Sequence, residues 1–218
     1  MKKLPFQLTE ELIRTWKQCV IDYLTKLYGK PIPGLAEALM EPGVLEPMYA
    51  YKGEFLLKPG QKAMKAYYLK KGRAKLYYYN ESAEQIICYI WEADSIIVMY
   101  KKFRKKLPNG RYYIEMMEDS ELVAVTNLDM DGIYAEHTVA HDLTTTILSM
   151  KADRRNKHLE ILQMKDKKRR YCRFKELFPG LFANSEYRLS AEEICSFIDI
   201  STTCLKAAKK ICADKRTK

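Results

Sequence analysis

The chain has 218 residues, a hydrophobic fraction of 47% and a formal net charge of +10. That size and composition fit one large or two small globular domains with a real core, and exclude a disordered tail. No apolar run approaches the ~20 residues that a membrane span requires.

The start, Met1-Lys2-Lys3-Leu4-Pro5, has lysines with no apolar segment behind them, so no export signal is expected and the cytoplasm is the expected location. The six cysteines (Cys19, Cys88, Cys172, Cys195, Cys204 and Cys212) are scattered without a Cys-x-x-Cys pair. That argues against a zinc ribbon or a redox dithiol and fits reduced thiols.

The charge is uneven. Residues 1–150 hold 20 Lys and Arg against 19 Asp and Glu, a net of +1, whereas residues 151–218 hold 18 against 9, a net of +9. A local positive field is what phosphate binding needs, so the last third is where a nucleic-acid interface is expected.

Taken in order, residues 9–28 form a helix. Leu12, Ile13, Trp16, Val20, Tyr23, Leu24 and Leu27 recur at three- and four-residue steps, Thr9 caps the start, and Gly29 and Pro31 stop it. The helix is expected to pack on a neighbour. Residues 31–47 are broken by Pro and Gly, with a short helix at 35–40. From Met48 the chain turns into short aromatic and β-branched runs at 49–51, 54–57, 66–69, 73–79, 85–91, 111–117 and 122–126, separated by Gly-, Pro- and Asn-containing turns. Many short strands at this spacing predict an antiparallel sandwich or small barrel. Tyr77, Tyr78 and Tyr79 are read as strand surface and core rather than a platform for stacking bases.

From Tyr134 the period lengthens. Val139, Leu143, Ile147 and Met150 step by four, four and three, one stripe on a long helix, and a stripe of that width is expected to be a dimer seam, the alternative being a helix packed only within its own chain. Arg154 and Lys157 interrupt it, which confines the seam to the first half. His137 and His141 stand at i, i+4 but have no evident third partner, so no metal is expected. Residues 165–170 carry five bases and one acid, and Tyr171, Phe174 and Phe178 then give a core face ended by Pro179-Gly180. The bases are expected to contact phosphates, with a solvated face as the alternative.

The stretch 189–210 carries the chemistry. Ser190 and Glu193 have the spacing of a capping box. Ile194, Phe197 and Ile198 form one apolar face, and Asp199 can take a tight turn. Ser201 or Thr202 then caps a second helix, which buries Leu205, Ala208 and Ile211 or Cys212. Two short helices about a tight turn, the second basic outside, predict a helix-turn-helix. Its DNA-binding residues are expected to be Ser201, Thr202, Thr203, Lys206, Lys209 and Lys210, with Arg188 just before the first helix.

The order of strands, long helix, basic helix and helix-turn-helix resembles the bacterial Crp–Fnr transcription regulators, named for the cyclic-AMP receptor protein and the fumarate–nitrate regulator. The likeness spans about residues 45–212. It rests on Lys58-Pro59-Gly60, on the run from Tyr68 to Leu76, on Arg170-Tyr171, on Leu177-Phe178-Pro179-Gly180-Leu181, and on the run from Ile194 to Ser201, which sits like the family's Ile-Ala-Ser-Tyr-Leu-Gly-Ile-Ser. It is similar above all to divergent Bacteroidetes-type members. The resemblance implies an α+β fold: an N-terminal helical segment (1–45), a cyclic-nucleotide-binding-like β-roll of jelly-roll type (46–133), a long connecting and dimerisation helix (134–164) and a C-terminal winged helix-turn-helix (165–218).

Departures from the family pattern bear on function. Cyclic-nucleotide-binding members carry a Gly-Glu pair for the ribose and an Arg followed by a small residue for the phosphate. Here Ala93-Asp94-Ser95 and a basic run, 101–106, stand in that region. Arg111, the candidate for an effector pocket, is followed by Tyr112-Tyr113, which speaks against cyclic AMP. Only Cys19 lies at the N-terminal end, where iron–sulfur sensors of the family carry a cysteine cluster. In the second helix Thr203 and Ala207 stand where members often have Glu and Arg, so bidentate arginine readout is absent from that face.

The expected protein is thus a homodimeric, DNA-binding transcription regulator with double-stranded DNA as partner and RNA polymerase as a further one. Its effector is undetermined, and it has no cofactor, no metal and no membrane. No paired carboxylates, Ser-His-Asp set or phosphate-cradling glycine loop points to an enzyme. The alternative is a protein that keeps the fold without binding DNA and uses the roll for another ligand or protein partner.

Overall fold

The computed structural model describes residues 9–182 and 188–214. Helix α1 (Glu10–Tyr28) starts where the Thr9 side chain accepts the Leu12 N–H at 3.3 Å and ends at Gly29, whose φ of 78° only glycine adopts easily. Helix α2 (Pro33–Met40) opens with Pro in its first turn.

Eight strands follow: β1 (Glu46–Ala50), β2 (Phe55–Leu57), β3 (Lys65–Lys71), β4 (Arg73–Tyr79), β5 (Gln85–Glu92), β6 (Ser95–Ile97), β7 (Tyr113–Met116) and β8 (Ser120–Thr126). They form two four-stranded sheets, ordered β1-β8-β3-β6 and β2-β7-β4-β5. Every pairing in the first sheet is antiparallel, as is β2 with β7. This is the expected double-sheet roll. β3 turns into β4 at Gly72, where φ is 109° and an added Cβ would lie 2.0 Å from the Ser120 hydroxyl. No other residue fits there.

Register fixes which face is which. Tyr67 pairs with Ala124 and Ile97, and Leu69 with Leu122, so these point into the roll, where Leu69, Leu122 and Ala124 are fully buried. Tyr68 pairs with Val123 and Ile96, and these point outward onto a helical layer. There Tyr68 and Val123 share a core with Trp16 and Val20 of α1 and Leu35 and Leu39 of α2. Ile133 of α4 (Asn127–Glu136) and Ala140 and Leu143 of α5 (Thr138–Gln163) complete it. The expected neighbour of α1 is therefore the roll itself.

Three elements differ from expectation. Strand β6 and helix α3 (Tyr100–Arg104) occupy what reads as turn and basic loop. Phe103 is 2% exposed and anchors α3, while Arg104 and Lys106 both pair with Asp131, at 2.7 and 3.0 Å. The long helix does not begin at Tyr134. Thr126 accepts the Asp129 N–H and starts α4 earlier, and an extended His137 separates α4 from α5.

The chain divides into two compact units, Met1–Lys75 with Trp91–Leu148 and Leu76–Ile90 with Ser149–Lys218. The divisions fall inside β4, β5 and α5. Helices α1 and α2 cover the outer sheet.

In the second unit α6 (Lys167–Leu177), a 3-10 turn (Pro179–Phe182), α7 (Ala191–Ile198) and α8 (Thr202–Asp214) enclose an aromatic core. Phe174 lies 4.9 to 5.7 Å, ring to ring, from Phe178, Phe182 and Phe197. No strand occurs among the described residues of 165–218, and the expected wing falls outside them.

Candidate nucleic-acid interface

Local chemistry sets each bend of the α7–α8 pair. The Ser190 hydroxyl accepts the Glu193 N–H at 3.1 Å, and the Glu193 carboxylate accepts the Ser190 N–H at 2.9 Å, the complete capping box. α7 ends at Asp199 in the left-handed conformation, φ 49° and ψ 64°. Ser201 caps α8, its hydroxyl accepting the Cys204 N–H at 3.1 Å. Ile194, Phe197, Ile198, Leu205 and Ala208 are buried, each 4% exposed or less. That burial turns the opposite face of α8 outward. Ser201, Thr202, Thr203, Lys206, Lys209 and Lys210 are all exposed on it, and Arg188 is exposed as well. The three lysines make no ion pair with any described residue. The structure thus gathers the α8 residues expected from the sequence on one solvent-facing, cationic strip.

Part of the basic run before it has another role. Arg170 is 6% exposed. Its guanidinium donates to the carbonyl oxygens of Leu162 (2.7 Å), Met164 (3.2 Å), Ile198 (3.1 Å) and Asp199 (2.8 Å) and to the Asp199 carboxylate (2.9 Å). It ties the end of α5 and the start of α6 to the turn that aims α8. Lys167 also pairs with Asp199 at 3.3 Å, and Arg169 with Asp166 at 3.3 Å. Burial pushes the Asp199 carboxyl up, but the hydrogen bonds and charges of Arg170 and Lys167 outweigh it and hold the group below its ordinary value. Arg173 bridges Glu160 and Glu176. The expectation that this run contacts phosphates is therefore corrected for Arg170, whose donors are all turned inward.

Two further contacts hold this unit together. The Ser196 hydroxyl of α7 accepts the Ile87 N–H of β5 at 2.9 Å and donates to the Gln85 carbonyl at 2.5 Å. His158 of α5 stacks on Phe197, rings 3.9 Å apart and 2° from parallel, and its Nε2 meets the Phe197 carbonyl. A signal for His158 exists: it lies four residues after Arg154 and three before the buried Ile161, so the apolar face of α5 continues through it. Arg154 does not end that face. Its guanidinium lies over the Phe178 ring at 4.9 Å.

The expected dimer seam is not one exposed face. Leu143 is 3% exposed within its own chain's core, and Val139 packs against that core. Ile147 is half-buried, and Met150 is 49% exposed. The helical layer over the outer sheet needed a lid, and the first turns of α5 supply it.

In the roll, Arg111 is exposed, 5.7 Å from the Tyr112 ring. It does not line the cavity of about 420 Å³ bounded by Leu57, Gln61, Met64, Tyr67, Ile97 and Ile114. Asp94 sits in a left-handed turn, φ 57°, with its carboxylate accepting the Tyr68 hydroxyl at 2.6 Å. The His141 ring meets the Tyr134 carbonyl at 3.0 Å. No group of three potential metal ligands occurs among the described residues. No helix among them is long and apolar enough to cross a membrane.

No family model matches the sequence, and no curated protein matches it. Solved structures do. A putative transcriptional regulator of the Crp/Fnr family from Eubacterium rectale is 12% identical, with a TM-score of 0.67 over 88% of each chain. FixK2 from Bradyrhizobium japonicum is 15% identical, with a TM-score of 0.65 over 79% of this chain and 86% of that one. The c-di-GMP-responsive global regulator CLP of Xanthomonas campestris is 13% identical, with a TM-score of 0.63 over 84% and 93%. With the roll, the α5 helix and the α7–α8 pair in that order, this chain has the fold of the Crp/Fnr transcription regulators.

Proposed function

We infer that the chain is a cytoplasmic, DNA-binding transcription regulator that acts as a homodimer and is not an enzyme. The observation that carries this is the exposed strip of α8. Thr202, Thr203, Lys206, Lys209 and Lys210 stand together with no acidic partner, on a helix whose other face is locked into a core. Lysines so placed are available to phosphates, and threonine and lysine can reach base edges. Without an arginine fork on that face, phosphate contacts carry much of the affinity.

Cyclic AMP does not suit the roll. Arg111 lies on the surface, Tyr112 and Tyr113 follow it, and Asp94 is engaged by Tyr68. A second copy would meet α5 where the stripe is still exposed, at Met150.

The test is a gel-shift series on fragments of the host genome at rising salt. Saturable binding that weakens steeply between about 50 and 200 mM salt supports the reading. Absent or salt-independent binding removes it. Sedimentation of Met150→Glu checks the assembly, with monomers expected from a dimeric parent.

A further inference from the structure

The outer face of the β1-β8-β3-β6 sheet and the helices above it do not close completely. A cavity of about 110 Å³ remains between them, lined on the sheet side by Ala66, Ile96, Val98 and Val125 and on the helix side by Met130 and Ala140, among others. It lies on the opposite face of that sheet from the roll's interior, because its sheet residues alternate with the inward-pointing Tyr67, Ile97 and Ala124.

The wall holds no charged side chain. Of the five hydroxyl-bearing residues in it, Tyr68, Tyr134 and Thr144 are already engaged. Tyr68 donates to Asp94, and Tyr134 shares a hydrogen with Thr144 at 2.7 Å while Thr144 donates to the Ala140 carbonyl at 2.8 Å. Water needs two to four polar partners to settle in a cavity, and this wall leaves few to offer. Nucleotides, sugars and ions would likewise lose their hydration without replacement. Protein interiors seldom keep voids larger than a water molecule, since the lining forfeits dispersion contacts. Here two alanines, Ala66 on the sheet and Ala140 on α5, leave the space that larger apolar side chains would fill.

We propose that this cavity is a binding site for a small, uncharged, apolar molecule, an aryl or short alkyl compound no larger than benzene. A dry apolar cavity of ~150 Å³ holds benzene, so the volume is of the right order for such a ligand. Met130, unbranched and adaptable, allows the wall to adjust to it. Occupancy restores the missing contacts on α5 and so holds its first turns against the sheet. This inference stands on the cavity and does not depend on DNA binding.

The experiment uses the full chain with benzene as probe, following the thermal midpoint and the Met130 methyl resonance. Benzene should raise the midpoint saturably, by roughly 2–4 °C, and shift the Met130 signal. Ala140→Leu, which fills the space, should have a higher midpoint without benzene and lose the response. Ala66→Val serves the same purpose should the first variant not fold. An unmoved midpoint and Met130 signal in the parent protein, or filled variants that respond as the parent does, would overturn the proposal.

Discussion

Helices α6 and α8 are both basic and belong to the same compact unit, yet the arginines of one and the lysines of the other have opposite fates. In α6, Arg170 is buried against four carbonyls and a carboxylate, Arg169 pairs with Asp166, and Arg173 with Glu160 and Glu176. In α8, Lys206, Lys209 and Lys210 face solvent without an anionic partner. A charge count treats these residues alike. What separates them is the supply of acceptors within reach. The α6 side chains emerge where α5 ends and α7 turns, both of which leave carbonyls unpaired. The α8 lysines emerge opposite a sealed apolar face. Within residues 151–218, which carry a net charge of +9, Arg170 is thus closed to DNA while Lys206, Lys209 and Lys210 stay open to it.

The sharpest way to break the comparison is to remove the inward cation. Arg170→Met keeps the stem and deletes the donors, leaving the Ile198 and Leu162 carbonyls without their partner. A buried carbonyl left without its partner costs about 1–3 kcal/mol. Urea unfolding followed by amide exchange in α6 to α8 should show that loss, with DNA affinity falling as a consequence of the misplaced turn. Arg170→Lys should recover little, because a point charge cannot span several carbonyls at once. A stability within ~1 kcal/mol of the parent would mean that the clamp is ornamental.

Removing outward cations should do the reverse. Lys206→Ala with Lys209→Ala is expected to leave the unfolding midpoint unchanged, since exposed lysines without partners contribute little to stability. DNA affinity should fall by about 1–3 kcal/mol, with a shallower dependence on salt. Equal losses of stability in the two sets would erase the distinction between α6 and α8.

Much of this was legible beforehand because it is local. The capping box at Ser190 and Glu193, the left-handed Asp199 and the strand runs follow from nearest-neighbour chemistry, and so does the exposed face of α8. Where the reading went astray, the deciding partner is far along the chain. Leu143 looks like a seam residue until α1, which precedes it by more than a hundred positions, is found covering the same layer. Arg170 looks like a phosphate ligand until Asp199 arrives beside it. Phe103, inside a run of lysines, anchors a helix only because Ala66 and Val98 provide a wall. The short β6 has too few residues to show an alternation.

His158 gives the finest test of how the second unit is held together. Burial lowers its pKa from the ordinary 6.5, Arg154 adds to that, and hydrogen bonds to the backbone of Phe197 and Cys88 only partly oppose it. The folded chain thus resists protonation more than the unfolded chain does. Between the two pKa values the unfolded state binds more protons, so stability must fall as pH falls. The contribution is fully present above pH 6.5 and is lost as pH drops through the lower, folded value. His158→Gln keeps a neutral amide near the Phe197 carbonyl and cannot titrate. The parent should lose stability from pH 7 to pH 5 more than this variant does, read as the difference in urea midpoints at each pH. The effect should be smaller than that of Arg170→Met, because a single proton on one imidazole is at stake rather than several unmet carbonyls. Parallel pH profiles for parent and variant would show that the stacked imidazole contributes shape alone.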